Sequence, residues 1–223
     1  MKNLSDIYRI YNCDKGNQDS FKYAPDGDAH PGHNYGVFYQ PYFEKYIQKY
    51  YQEGYRPKML EIGLWTGHSL LAHNEFFEGK IELYGVDIYN ILDFDISKYP
   101  NMHIIFDDSE SDYVVNQLNN NKYEIIIDDA AHTPHNQLNN IIRYSKMLTP
   151  DGIYILEDVH TSLWKDFMEE LPYTDSMLYF LTTGLKPSIM KNEDYEWLKN
   201  HIKKIDMRII NKWESATAII TFN

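Results

Sequence analysis

Two short apolar runs in this chain stop abruptly on paired carboxylates, and few folds can use that pattern twice. The first is Ile125-Ile126-Ile127-Asp128-Asp129-Ala130-Ala131-His132, the second Ile153-Tyr154-Ile155-Leu156-Glu157-Asp158-Val159-His160. Each reads as a buried strand with a histidine two or three residues past its acids. In open α/β sheets, ligands sit outside the carboxyl ends of the strands. Two neighbouring strands ending this way would gather four acids and two histidines into one crevice. Such a cluster repels itself unless something positive fills it, and a divalent metal is the natural occupant.

The rest of the chain alternates in the same manner. Lys58–Gly63, Ile81–Asp87, His103–Phe106, Tyr123–Asp128 and Ile153–Glu157 read as strands. Ser69–Phe77, Asp112–Asn119 and Asn136–Met147 read as helices between them, and Pro150-Asp151-Gly152 as a turn. This spacing implies βαβ units and a mostly parallel sheet. A helix over Asp194–Lys204 then leads to two β-rich runs, Met207–Trp213 and Ala216–Phe222, joined by Glu214-Ser215 as an antiparallel hairpin. The expected fold is therefore α/β: a Rossmann-like, doubly wound, mostly parallel seven-stranded sheet with a C-terminal antiparallel hairpin.

Ahead of this domain (35–223), residues 1–34 carry loop chemistry: Asp14-Lys15-Gly16, Pro25-Asp26-Gly27-Asp28 and His30-Pro31-Gly32-His33-Asn34. They are expected to be irregular and to serve as a lid. From Tyr35 to about Gln52 aromatic residues recur at helical spacing, with Gly54 and Pro57 ending the helix.

At 223 residues, with 24% charged and 43% hydrophobic residues, the chain suits one ordered domain with a full core. Its formal net charge of -12 argues against nucleic acid or an anionic membrane as partner. The lone Cys13 excludes an internal disulfide and fits a reducing compartment, and it lacks the basic helix-terminal setting of a reactive thiol. No leader or membrane-length apolar run is evident, so a soluble, cytoplasmic protein is expected. The many aromatic side chains are compatible with a homo-oligomer of unspecified size.

The first strand runs into Leu60-Glu61-Ile62-Gly63-Leu64-Trp65-Thr66-Gly67-His68-Ser69, where Gly63 and Gly67 allow a sharp turn and close approach of a ligand. This is not the G-x-G-x-x-G of a pyrophosphate cradle. The second strand ends in Asp87, placed to accept two ribose hydroxyls. Glu-x-Gly-x-x-x-Gly, a strand ending in Asp87 and the final hairpin together resemble class I S-adenosylmethionine-dependent methyltransferases, from about Tyr35 to the C-terminus. The resemblance implies S-adenosylmethionine as cofactor. By it, Gly63 and Gly67 pass the methionine moiety, Glu61 supports the loop, Asp87 holds the ribose, and Asp107, Asp108 and Ser109 lie near the adenine. Ser69, Asp128 and Lys15 complete the implied cofactor set.

A narrower resemblance rests on Ile-Asp-Asp-Ala-Ala-His-Thr at 127–133 and Leu-Glu-Asp-Val-His-Thr-Ser at 156–162. These look like the metal-dependent sugar O-methyltransferases of the macrocin/mycinamicin type, as do Asp14-Lys15-Gly16 and His33-Asn34-Tyr35. The resemblance makes Asp129, Glu157 and Asp158 metal ligands and His132 the general base, with Asp129 counted among the catalytic residues. The chain is shorter than those enzymes and carries alanines at 130–131 where small or polar residues are usual.

The chemistry of the residues agrees. An oxygen-only set suits a hard cation such as Mg²⁺, a cation acidifies an alcohol, and a neutral histidine can take its proton. The expected acceptor is a polyhydroxylated small molecule such as a sugar. The alternatives are a catechol, phosphoramidate or amine acceptor, a nicotinamide-dependent oxidoreductase, or a catalytically silent partner protein. Plainer roles also exist: Asp129 and Asp158 as caps, Trp65 as core packing, and His132 as a surface histidine. His135 could pair with it on a soft metal, although Pro134 and the lack of nearby cysteines weigh against zinc. His160 reads equally as an orienting, substrate-contacting or structural residue.

Overall fold

The computed structural model describes residues 2–16, 32–210 and 215–223. The strands are β1 (Lys58–Ile62), β2 (Glu82–Asp87), β3 (Met102–Phe106), β4 (Tyr123–Asp128), β5 (Leu148–Leu156), β6 (Ile202–Ile210) and β7 (Ser215–Phe222). They form one seven-stranded sheet in the order β3-β2-β1-β4-β5-β7-β6, with β6 and β7 antiparallel and every other pair but β5–β7 parallel. The strand order reverses between β1 and β4, which opens the ligand crevice of doubly wound sheets at their carboxyl ends.

Alternation along the strands builds two cores. Leu60, Ile126 and Tyr154 face one side of the sheet with helices α4 (Asp112–Leu118), α5 (Pro134–Tyr144), α6 (Met177–Thr183) and α7 (Asn192–His201). Met59, Ile125 and Ile153 face the other, with α1 (Leu4–Ile10), α2 (Gly36–Glu53) and α3 (His68–Phe76). Every residue of β4 is buried, as expected of a central parallel strand covered on both faces. Each such isoleucine contributes about 1.5–3 kcal/mol through burial.

Three expectations need correction. The first 34 residues are not irregular throughout, because Leu4–Ile10 is a helix. Asn3 caps it by accepting from the Asp6 amide, and Leu4, Ile7 and Tyr8 at i, i+3 and i+4 are buried. This part is core rather than lid; Pro25–Asp28 and His30 lie outside the described residues. Pro150-Asp151-Gly152 does not separate α5 from β5, since the strand already begins at Leu148, pairs with Tyr123 and shifts register further on. The last helix ends at His201, and Ile202–Ile205 joins the ladder with β7. His201 Nδ1 lies 2.7 Å from the Trp197 carbonyl oxygen and its ring stacks on Trp197, closing the helix while the chain turns into the sheet. The connection through residues 211–214 lies outside the described residues. Among the described residues, no helix is long and apolar enough to cross a membrane.

Helix α1 is tied down by a buried polar contact. The Tyr8 hydroxyl lies 2.6 Å from His73 Nε2 of α3, and Tyr11 donates to Glu75 at 2.7 Å. Tyr8→Phe leaves the fully buried His73 ring nitrogen without that partner, which is expected to cost about 1–3 kcal/mol in denaturant unfolding. An unchanged midpoint would show that this contact does not hold the helix.

Candidate active site

The crevice is assembled by backbone pairing just beyond the strands. The Gly63 amide donates to the Val86 carbonyl oxygen, Asp129 to Ile62 and Glu157 to Asp128, so the ends of β1, β2, β4 and β5 stay in register after the ladder stops. Gly63 has φ +86°, and a Cβ there would lie 2.1 Å from the Asp129 carbonyl oxygen and 3.0 Å from the Ala130 Cα. No side chain fits, because the glycine loop packs directly against the backbone of the turn at Asp129 and Ala130.

A cavity of about 500 Å³ opens here, within the range of small-molecule sites. Of the expected cofactor residues, Lys15, Gly63, Ser69, Asp87, Asp107, Asp108 and Ser109 line it. Asp87 does more than face a ligand. Its Oδ2 accepts from the Leu64 and Trp65 amides at 2.7 and 2.9 Å, and its Oδ1 from the Tyr89 amide at 2.8 Å. It therefore shapes the glycine loop.

Glu61, Gly67, Asp128 and Glu157 are buried and do not line the cavity. Asp128 is the clearest departure from expectation: it is 1% exposed, and Asn140 and Tyr154 donate to its two oxygens at 3.0 and 2.7 Å. It braces the sheet from below rather than meeting a cofactor. Glu61 faces His73 Nδ1 at 3.4 Å and Lys15 Nζ at 3.8 Å. Burial alone would raise its carboxyl, but His73 and Lys15 hold it below the usual range.

Asp129, His132 and Asp158 line the same cavity and converge. His132 Nε2 lies 3.6 Å from Asp129 Oδ1 and 3.7 Å from Asp158 Oδ2, and each residue offers a ligand atom within 4.8 Å of the others. Glu157, expected as a third acid in this set, sits deeper at 2% exposure and pairs with Lys15 instead. Lys15 is itself 2% exposed, with Nζ 2.5 Å from Asp129 Oδ2 and 2.9 Å from Glu157 Oε2. Those two carboxylates lift the lysine well above its ordinary value against the opposing effect of burial. Burial raises Asp129 to about 6 even with Lys15 and His132 pulling it down.

Asp158 is organised from the opposite side. Tyr35 donates to its Oδ1 at 2.6 Å and accepts from the Ser215 hydroxyl at 2.7 Å. Ser215 has then given its only proton, so His33 Nδ1, 2.8 Å from Ser215 Oγ, must be the donor in that contact. The relay aims every proton toward the carboxylate. Burial alone would raise Asp158, but His33, His132 and the Tyr35 hydrogen bond bring it down to about 2. His160 belongs to the scaffold: its Nδ1 accepts from the Ala216 amide at 3.1 Å. His135 pairs with Glu169 at 2.9 Å, away from this cluster.

Lys15 and Tyr35 reach the acids from two pieces of chain zipped together. The His33 amide donates to the Asp14 carbonyl oxygen, Asn34 to Gly16 and Gly36 to Lys15. Sequence reasoning missed Tyr35 and Ser215 as site residues. The Asp-Lys-Gly and His-Asn-Tyr motifs were the available signal, but nothing in them indicates which acid each would grip. Trp65, His132 and Asp158 also share left-handed backbone, with φ of 49°, 58° and 51°. Such conformations cost on the order of 1 kcal/mol each and gather at functional sites.

A sheet of this order with a terminal antiparallel hairpin, and a glycine loop facing an acid on β2, is the fold of class I S-adenosylmethionine-dependent methyltransferases. The similarity is to MycE methyltransferase from the mycinamycin biosynthetic pathway, solved with Mg and SAH, at a TM-score of 0.65 and 18% identity over 99% of this chain and 55% of that one. The MycE complex with Mg, SAH and mycinamycin VI gives a TM-score of 0.65 at 18% identity, covering 99% and 54%. The O-methyltransferase from Bacillus cereus in complex with SAH gives 0.58 at 11% identity, covering 99% and 90%. The chain thus spans about half the length of MycE. At these identities the likeness is one of fold, and activity has to be argued from the site. No protein-family model and no curated protein sequence matches the chain.

Asp128 offers a direct check on the bracing role. Burial raises its carboxyl to about 6, above its unfolded value. Its contribution to stability is therefore fully present below about pH 4 and is lost as pH rises through about 6. Asp128→Asn should lack that loss, so melting temperatures of variant and wild type should diverge in the variant's favour across this interval. Parallel curves would show that Asp128 does not titrate as its surroundings imply.

Proposed function

We propose that the chain is an S-adenosylmethionine-dependent, divalent-metal-dependent O-methyltransferase acting on a hydroxyl of a sugar or similarly polyhydroxylated small molecule. The observation that carries the proposal is the convergence of Asp129, His132 and Asp158 in a cavity that is also lined by the glycine loop, Asp87 and Asp107–Ser109. The donor chemistry fits a hard cation. Asp129 and Asp158 offer carboxylate oxygens facing each other across His132, and Glu157 Oε1 is buried without a hydrogen-bond partner. The cavity fits the cofactor: Gly63 lets backbone approach closely, and Asp87 Oδ1, which accepts from one amide where Oδ2 accepts from two, keeps a lone pair for a ribose hydroxyl.

When bound, the cation supplies positive charge that makes a nearby alcohol easier to deprotonate, and S-adenosylmethionine supplies the methyl group. The chain does the rest by placement. His132 Nε2 faces both acids and is the group positioned to take the hydroxyl proton, and those acids stabilise the imidazolium that results. Thr161 Oγ1 reaches the His132 carbonyl oxygen at 2.9 Å and holds this strained turn in place. Tyr35 fixes Asp158 by one oxygen, leaving the other toward His132. No covalent enzyme intermediate is needed, so orientation and charge account for most of the effect.

A polyhydroxylated acceptor is favoured because vicinal hydroxyls offer two oxygens to one cation, which gives an acidic pocket a neutral substrate. The MycE complex contains mycinamycin VI, which supports looking first among glycosylated small molecules. The lone cysteine is consistent with a cytoplasmic setting.

Calorimetric titration with S-adenosylhomocysteine, with and without Mg²⁺, tests the cofactor and the cation separately. Asp129→Ala should abolish turnover and the Mg²⁺ signal while leaving cofactor affinity within about threefold. Loss of cofactor binding as well would count against the assigned roles. His132→Ala should reduce kcat by about 10²–10⁴-fold with little change in Mg²⁺ affinity; near-normal turnover would remove it as the base.

A further inference from the structure

Lys15 brings a permanent positive charge into the acidic cluster itself, and resting on the metal-dependent reading above, we propose that this lysine sets the charge of the cation the site accepts. Asp129 and Asp158 line the cavity, and the Lys15 ammonium lies between Asp129 and the deeper Glu157 at 2.5 and 2.9 Å, with Glu61 at 3.8 Å. The ammonium offsets part of the negative field that these carboxylates present to a cation. Its repulsion acts more strongly on a trivalent ion than on a divalent one, in a region where Lys15 and Glu157 are each 2% exposed.

The lysine cannot leave easily. Its backbone carbonyl accepts from the Gly36 amide, and the residues on either side, Asp14 and Gly16, accept from the His33 and Asn34 amides. Its side chain is 3% exposed. The charge is therefore a fixed part of the site, unlike a surface lysine whose field water and salt would screen. Lys15 acts through the two carboxylates and is a specificity-determining residue for the cation, not a group that touches the methyl acceptor.

The test compares Mn²⁺ and Tb³⁺ binding to the full chain, Mn²⁺ by electron paramagnetic resonance of the free ion and Tb³⁺ by sensitised luminescence. Signal lost in Asp158→Asn marks this site against other acids on the surface. Lys15→Met should raise the affinity for Tb³⁺ relative to Mn²⁺ by about tenfold or more, because the charge removed repels a trivalent ion more than a divalent one. Glu157→Gln should shift the ratio the opposite way. The double variant Lys15→Met/Glu157→Gln removes one charge of each sign, leaves no uncompensated buried carboxylate at Glu157, and should return to the wild-type ratio even where the single lysine variant fails to fold. A ratio unchanged in Glu157→Gln, or one in the double variant that departs from wild type, overturns the proposal. Absence of a Mn²⁺ signal at this site in the wild-type chain would instead overturn the metal-dependent reading beneath it.

Discussion

The site is organised around one buried ion-pair cluster. Lys15 and Glu157 would each be costly to bury alone, yet each is almost wholly enclosed because the other is there. The ammonium also reaches Asp129 on the neighbouring strand end, so it ties β4 and β5 together at the point where their backbone ladder gives out. Everything that faces the cavity from this side takes its position from that cluster: the turn carrying His132, the strained Asp158 beyond β5, and the Tyr35 hydroxyl that meets it.

Much of the fold is legible from residue type and spacing. β4 is readable because a central parallel strand is buried on both faces and its sequence is correspondingly apolar up to the acid. The glycine loop is readable because positive φ at Gly63 and Gly67 demands it. The boundary errors have physical causes. At Ile202–Ile205 a pattern compatible with a helix is overridden by pairing with β7, a partner that local sequence does not reveal. At Pro134 the helix begins earlier than its apolar spacing suggests, because Thr133 caps it and proline suits its first turn.

The site was legible in its residue types but less so in its pairings. Asp129, His132 and Asp158 stand together as their motif implies. That Lys15 would meet Asp129 across 114 residues, or Tyr35 meet Asp158 across 123, depends on tertiary geometry that no local spacing encodes. Asp128 shows the converse. Its place in a doublet made it look like its neighbour, but alternation along a strand sends adjacent side chains to opposite faces, and one of the two had to point into the scaffold.

The zipped pair of segments has a bearing on how the two acids are linked. Three backbone hydrogen bonds join Asp14, Lys15 and Gly16 to His33, Gly36 and Asn34, so Lys15 and Tyr35 hang from one brace. Lys15 grips Asp129 and Tyr35 grips Asp158. A change that loosens either side of the brace slackens the hold on both acids at once, so the two carboxylates are coupled through backbone that touches neither.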